Sequence, residues 1–127
     1  MAPPFDAQVT FVYASDLTAS IHFYSEILGL PLVIDQGTCR IYQVSSDGFV
    51  GICKTRPSRL LSPDGVTMTL VTAHVDDWHR RLKHKGVEFE IAPTKNTDFG
   101  IYHCLLRDPD GYRIEIQQFL GPVLPEI

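Results

Sequence analysis

Residues 108 to 119 read Asp108-Pro109-Asp110-Gly111-Tyr112-Arg113-Ile114-Glu115-Ile116-Gln117-Gln118-Phe119, a tight turn feeding a strand. Pro109 presets φ at the first central position of the turn, and Gly111 accepts a positive φ where the chain reverses. Beyond the turn the side chains alternate. Tyr112, Ile114 and Ile116 fall on one face of the strand, with Arg113, Glu115 and Gln117 on the other. Such a strand rests its apolar face on a hydrophobic layer and offers its charged and amide groups to water or a ligand. What surrounds Glu115 then decides what the protein does.

Outward from this stretch, the same order of elements occurs twice. Gln8 to Tyr13 has the Val, Phe, Tyr and Thr content of a strand, and Asp16 is an N-cap ahead of a helix over 17 to 28. Leu17, Ile21, Tyr24 and Leu28 form its apolar stripe, widened by Phe23 and Ile27, and Gly29 and Pro31 stop it. Strands follow at Leu32 to Asp35, Cys39 to Ser45 and Phe49 to Lys54, and Thr55 to Gly65 reads as a linker. Then Val66 to His74 is a strand, Asp76 or Asp77 caps a helix with Trp78 and Leu82 inward, and Gly86 ends it. Val87 to Ile91, Gly100 to Arg107 and Tyr112 to Phe119 complete a second set of three strands, with a loop around Pro93 to Asp98. Asp16 to Asp76, Gly29 to Gly86 and Gly48 to Gly111 are separated by 60, 57 and 63 residues, the spacing a duplication leaves. One α+β domain is expected, made of two βαβββ modules at 8–55 and 66–119 with a tail at 120–127.

Composition bounds the function. The chain has 127 residues, 44% hydrophobic and 20% charged, a globular balance for one ordinary domain. A net charge of −4 with no basic stripe argues against nucleic acid and anionic membranes as partners. Arg80, Arg81, Lys83 and Lys85 read as the solvated face of the second helix. No apolar run is long enough to span a membrane and no signal sequence opens the chain, so a cytoplasmic location is expected. Cys39, Cys53 and Cys104 lack CxxC spacing and are expected to be reduced, half-buried thiols in strands.

Asp16-Leu17-x-x-Ser20-Ile21-x-Phe23-Tyr24-x-x-x-Leu28-Gly29-Leu30, with Phe99-Gly100 and Asp108-Pro-Asp-Gly-Tyr-Arg-Ile-Glu115, resembles the vicinal oxygen chelate superfamily of lactoylglutathione lyase, extradiol dioxygenases, fosfomycin-modifying enzymes and bleomycin-resistance proteins. The resemblance covers nearly the whole chain. It implies two βαβββ modules forming a curled mixed sheet around a cup, usually within a homodimer. In metal-dependent members it also implies a divalent ion on ligands from four strands. Carried over residue by residue, those four positions fall on Val9, Ile52, Leu70 and Glu115. One of the four is a ligand type, whereas a divalent ion needs at least three converging protein groups.

Alternation and the resemblance together give a cup-facing set of Val9, Phe11, Tyr13, Ile52, Leu70, Thr72, His74, Tyr102, Cys104, Arg113, Glu115 and Gln117. Pairing Arg107 with Tyr112 across the turn puts Tyr102, Cys104 and Leu106 on the Glu115 face and turns His103 away. Glu115 either pairs with Arg113 or a neighbouring strand, or contacts a ligand directly. His74 reads as a partly exposed residue at the helix start, and Cys104 as a packing residue with no base beside it. Trp78 either caps the cup or is buried by its helix. The expected function is binding of an aromatic or apolar organic molecule, of the sequestration or resistance type, with no cofactor. The alternative is a lyase, isomerase or extradiol-type dioxygenase using Glu115 and one zinc, nickel, manganese or iron ion, with Gln8, His74 and His103 as recruits.

Overall fold

The computed structural model describes residues 2–121, and two compact units divide the chain at Ser62/Pro63. The first holds β1 (Gln8–Ala14), α1 (Leu17–His22) running on into a π-helical turn (Phe23–Ile27), β2 (Leu32–Asp35), β3 (Cys39–Gln43) and β4 (Gly48–Lys54). The second holds β5 (Thr67–Val71), α2 (Val75–His84), β6 (Phe89–Asn96), β7 (Ile101–Arg107) and β8 (Arg113–Phe119). Their sheets run β1-β4-β3-β2 and β5-β8-β7-β6, one order used twice. In each, the first strand lies parallel to the last and the other neighbours are antiparallel. The parallel pair requires a crossover, and the helix with two strands supplies it. The α+β class and the tandem βαβββ order are as the sequence implies, with a separate four-stranded mixed sheet in each unit. From residue 122 on, the anticipated tail lies outside the described residues.

In the first unit Asp16 caps α1 as expected, its carboxylate accepting from Ala19 N at 3.2 Å. The buried stripe is Ser20, Phe23, Tyr24 and Leu28, while Leu17 and Ile21 are half-buried. The phase shifts because Leu28 N donates to Phe23 O at 2.8 Å, a five-residue step that widens the last turn. Tyr24 then stacks on Tyr42 of β3, with ring centroids 6.4 Å apart. Ser25 donates to the Tyr42 hydroxyl at 2.8 Å.

Three expectations for the second unit change. The N-cap of α2 is His74, and Asp76 and Asp77 lie in its first turn, where carboxylates favour the positive helix end. The cause is Thr72: its hydroxyl accepts from His74 N at 3.0 Å, which turns the chain soon after Val71. Val75 and Leu82 are buried, but Trp78 is half-buried with the Arg81 guanidinium 5.6 Å from its ring centroid. The anticipated loop at Pro93 to Asp98 is mostly strand, since β6 continues to Asn96. Register shifts at Phe89/Ile91 and Ile91/Thr94 absorb the extra residues, and an edge strand tolerates Pro93. Among the described residues no helix is long and apolar enough to cross a membrane.

The cysteine expectation also changes. Cys39 and Cys53 face each other across β3 and β4, with Cα atoms 4.0 Å apart, and form a disulfide. Cys104 alone is a free, buried thiol. Cysteine usage therefore does not argue for a reducing compartment. Iodoacetamide should modify no thiol in the native protein, Cys104 alone after denaturation, and all three cysteines after denaturation with reduction. Intact-mass spectrometry reads each step, and three additions without reductant would refute the pairing.

Candidate functional site

The turn sets the register of everything around Glu115. Asp108 Oδ1 accepts from Asp110 N and Tyr112 N, each at 2.9 Å. Asp108 N donates to Tyr112 O at 2.9 Å, which closes a loop of Pro109, Asp110 and Gly111. Gly111 sits at φ +89°, the left-handed conformation a three-residue hairpin loop places last. Arg107 locks the turn by donating to Gly111 O at 3.0 Å while Glu90 accepts from its guanidinium at 3.0 and 3.3 Å. Arg107 consequently pairs with Arg113, Leu105 with Glu115 and His103 with Gln117. The expected pairing of Arg107 with Tyr112 is off by one residue, and a one-residue slip exchanges the two faces of a strand.

His103 therefore belongs to the Glu115 face. Its Nδ1 lies 2.7 Å from Glu115 Oε2, with the two side chains only 10% and 18% exposed. Thr69 of β5, the partner of Glu115 in the parallel ladder, donates to Glu115 Oε1 at 3.3 Å. Arg113 reaches the Thr67 hydroxyl at 3.3 Å. The face thus carries Thr67, Thr69 and Val71 from β5, Arg113, Glu115 and Gln117 from β8, and buried Ile101, His103 and Leu105 from β7. An imidazole, a carboxylate, a hydroxyl and an amide stand together among aliphatic side chains. Sequence reasoning turned His103 away from this face, naming it only as a recruit for the metal-dependent alternative, and did not name Thr69.

Arg113, Glu115 and Gln117 occupy the face assigned to them. Tyr102 and Cys104 do not: they turn to the α2 side, where the Tyr102 hydroxyl donates to Asp76 at 2.5 Å. That hydrogen bond, with desolvation and the nearby charge, raises the Tyr102 pKa. Burial, aided by the charges of Asp76 and Glu115, pushes the Cys104 thiol up to about 11, so it stays protonated at neutral pH and is no nucleophile. Leu70 pairs with Ile116 and shares its face, not that of Glu115. Thr72 is spent on the turn into α2, and the His74 side chain, 73% exposed, sits at the helix start 3.8 Å from Asp77.

In the first unit Val9, Phe11 and Tyr13 share the face turned away from α1, with Ile41, Phe49 and Gly51. Ile52 is the exception, fully buried on the α1 side beside Tyr42 and Val50. Gly51 lies on the face turned away from α1, between Phe11 of β1 and Ile41 of β3. A Cβ at Gly51 would run into the Phe11 ring, so an aromatic ring covers the backbone there.

The donors do not fit a divalent ion. Among the described residues no three His, Cys, Asp or Glu side chains converge on one point. Both Glu115 oxygens are engaged by His103 and Thr69, and an imidazole with one carboxylate falls short of three protein ligands.

The family model for the Glyoxalase/Bleomycin resistance protein/Dioxygenase superfamily matches residues 7–116. No curated protein matches the chain. Among solved structures, it is similar to a glyoxalase/bleomycin resistance protein/dioxygenase from Nocardioides, at 19% identity and TM-score 0.74, covering 100% of this chain and 91% of that one. Lactoylglutathione lyase from Agrobacterium tumefaciens is similar at 22% identity and TM-score 0.72, covering 91% and 95%. An integron cassette protein from the Halifax Harbour sewage outfall metagenome is similar at 19% identity and TM-score 0.75, covering 89% and 97%. At these identities the likeness is one of fold.

Proposed function

The chain belongs to the glyoxalase/bleomycin resistance protein/dioxygenase superfamily, and from that premise we propose that it binds a small, largely aromatic or apolar organic molecule without the metal ion of its metal-dependent relatives. The observation that carries this is the state of Glu115. Its carboxylate is held by His103 and Thr69 on a sheet face whose neighbours are Ile101, Leu105 and Val71. A few fixed polar groups among apolar side chains suit an organic ligand, which gains affinity from buried area and orientation from hydrogen bonds. No bond is made or broken, and the function is sequestration. The same reading has the protein a cytoplasmic homodimer; a monomer in sedimentation at micromolar concentration would remove the dimer from it.

One observation favours a second reading, a metal-dependent lyase, isomerase or dioxygenase. His103 and Glu115 set an imidazole and a carboxylate side by side, two of the ligands that zinc, nickel, manganese or iron takes. Elemental analysis separates the two. Protein produced with all four metals available and purified without chelator or affinity-column metal is expected to carry far less than one equivalent, unchanged in Glu115→Ala. About one equivalent in the unsubstituted protein, lost in Glu115→Ala, would replace the binder with the enzyme.

A further inference from the structure

His103 and Gln117, paired across β7 and β8, are each only 8% exposed, yet among the described residues neither finds partners for its full hydrogen-bonding capacity. Among the described residues no protein group bonds His103 Nε2 or the Gln117 amide. Nor are they sealed: among the described residues the side-chain polar atoms shut from solvent without a partner are Ser20 Oγ and Arg40 Nε. Buried polar groups are nearly always satisfied, so two adjacent ones with open capacity point to water or a ligand as the partner. Gln117 can donate or accept, and does not discriminate. His103 does. Glu115 Oε2, 2.7 Å from Nδ1, can only accept and so fixes a proton on Nδ1, which in the neutral form of the ring leaves the lone pair on Nε2.

We infer that the site selects ligands that donate a hydrogen bond, aromatic molecules bearing an N–H or O–H group, because His103 Nε2 presents a fixed acceptor in a mostly buried position. This rests on the binding reading above and narrows its ligand class. A ligand whose donor is methylated fills the same space but leaves a desolvated acceptor unpaired, and buried unpaired groups are costly.

Matched probe pairs test this: indole against 1-methylindole and 2-naphthol against 2-methoxynaphthalene, titrated calorimetrically at mildly alkaline pH. The donor of each pair is expected to bind roughly tenfold more tightly than its methylated analogue. In His103→Phe the two members should converge to a ratio near one, whatever their absolute affinity. Should that variant fail to fold, the unsubstituted protein suffices: the 15N resonance of His103 Nε2 must move with indole and stay with 1-methylindole. Equal binding within both pairs, or an unmoved resonance, overturns the donor selection and leaves the binder intact. Failure of all four probes to bind at millimolar concentration counts against the binder as well.

Discussion

Leu82→Asp is expected to abolish cooperative unfolding of the second unit. Leu82 has no exposed surface and anchors α2 to the sheet that carries Glu115. Truncating such a leucine costs about 2–5 kcal/mol. A carboxylate in its place adds several more, because it would lose its hydration where the leucine has no exposed surface. Against a total of about 5–15 kcal/mol for a whole domain, that sum consumes most of the stability. Thermal and guanidinium melts followed by circular dichroism should lose their sigmoid, and amides of β5, β7 and β8 should exchange freely. Lys83→Gln, one residue along on the exposed side, is the control and should change stability by less than about 0.5 kcal/mol. A cooperative melt in Leu82→Asp would mean that α2 does not bury this side chain.

The second large effect concerns the pair itself. His103→Leu leaves the Glu115 carboxylate, 18% exposed, with Thr69 as its remaining described hydrogen-bond donor. Stranding one member of a fully buried pair costs about 3–5 kcal/mol, and the residual exposure and Thr69 soften this to roughly 3 kcal/mol. The melting temperature should fall on the order of 10 °C. Glu115→Leu strands an Nδ1–H instead and should cost about 1–3 kcal/mol. The double substitution His103→Leu/Glu115→Leu should be less destabilising than the two singles summed, because neither partner remains to be stranded. Simple additivity would show that the two side chains do not interact.

The duplicated module was legible because turn residues and helix stops recur at nearly constant spacing, and because each helix has an apolar side. The faces of β5 and β7 were harder. Asp-Pro-Asp-Gly suits either a three- or a four-residue loop, and only the Asp108 hydrogen bonds to Asp110 N and Tyr112 N settle which one forms. Alternation along β7 could not decide, since Ile101, His103 and Leu105 are nearly as apolar as Tyr102, Cys104 and Leu106, and both rows are largely buried. In β5 the signal was present: Thr67 and Thr69 alternate with Met68 and Leu70, the amphipathic pattern of a half-covered strand. Counting back from Asp76 concealed it, because α2 is capped at His74. The Cys39–Cys53 bond was likewise within reach, since the hairpin through Asp47-Gly48 sets those residues opposite each other. The separation of Glu115 from Cys104 and its pairing with His103 both follow from one residue of register.

The most direct test of metal-independent binding is a calorimetric titration of 2-naphthol into the protein before and after exhaustive chelation, with the metal content of both samples measured. The account predicts the same dissociation constant in both, within roughly twofold, and no gain on adding zinc, nickel, manganese or iron. Binding that disappears on chelation and returns with one of those ions would contradict it, and would make Glu115 and His103 part of a metal site.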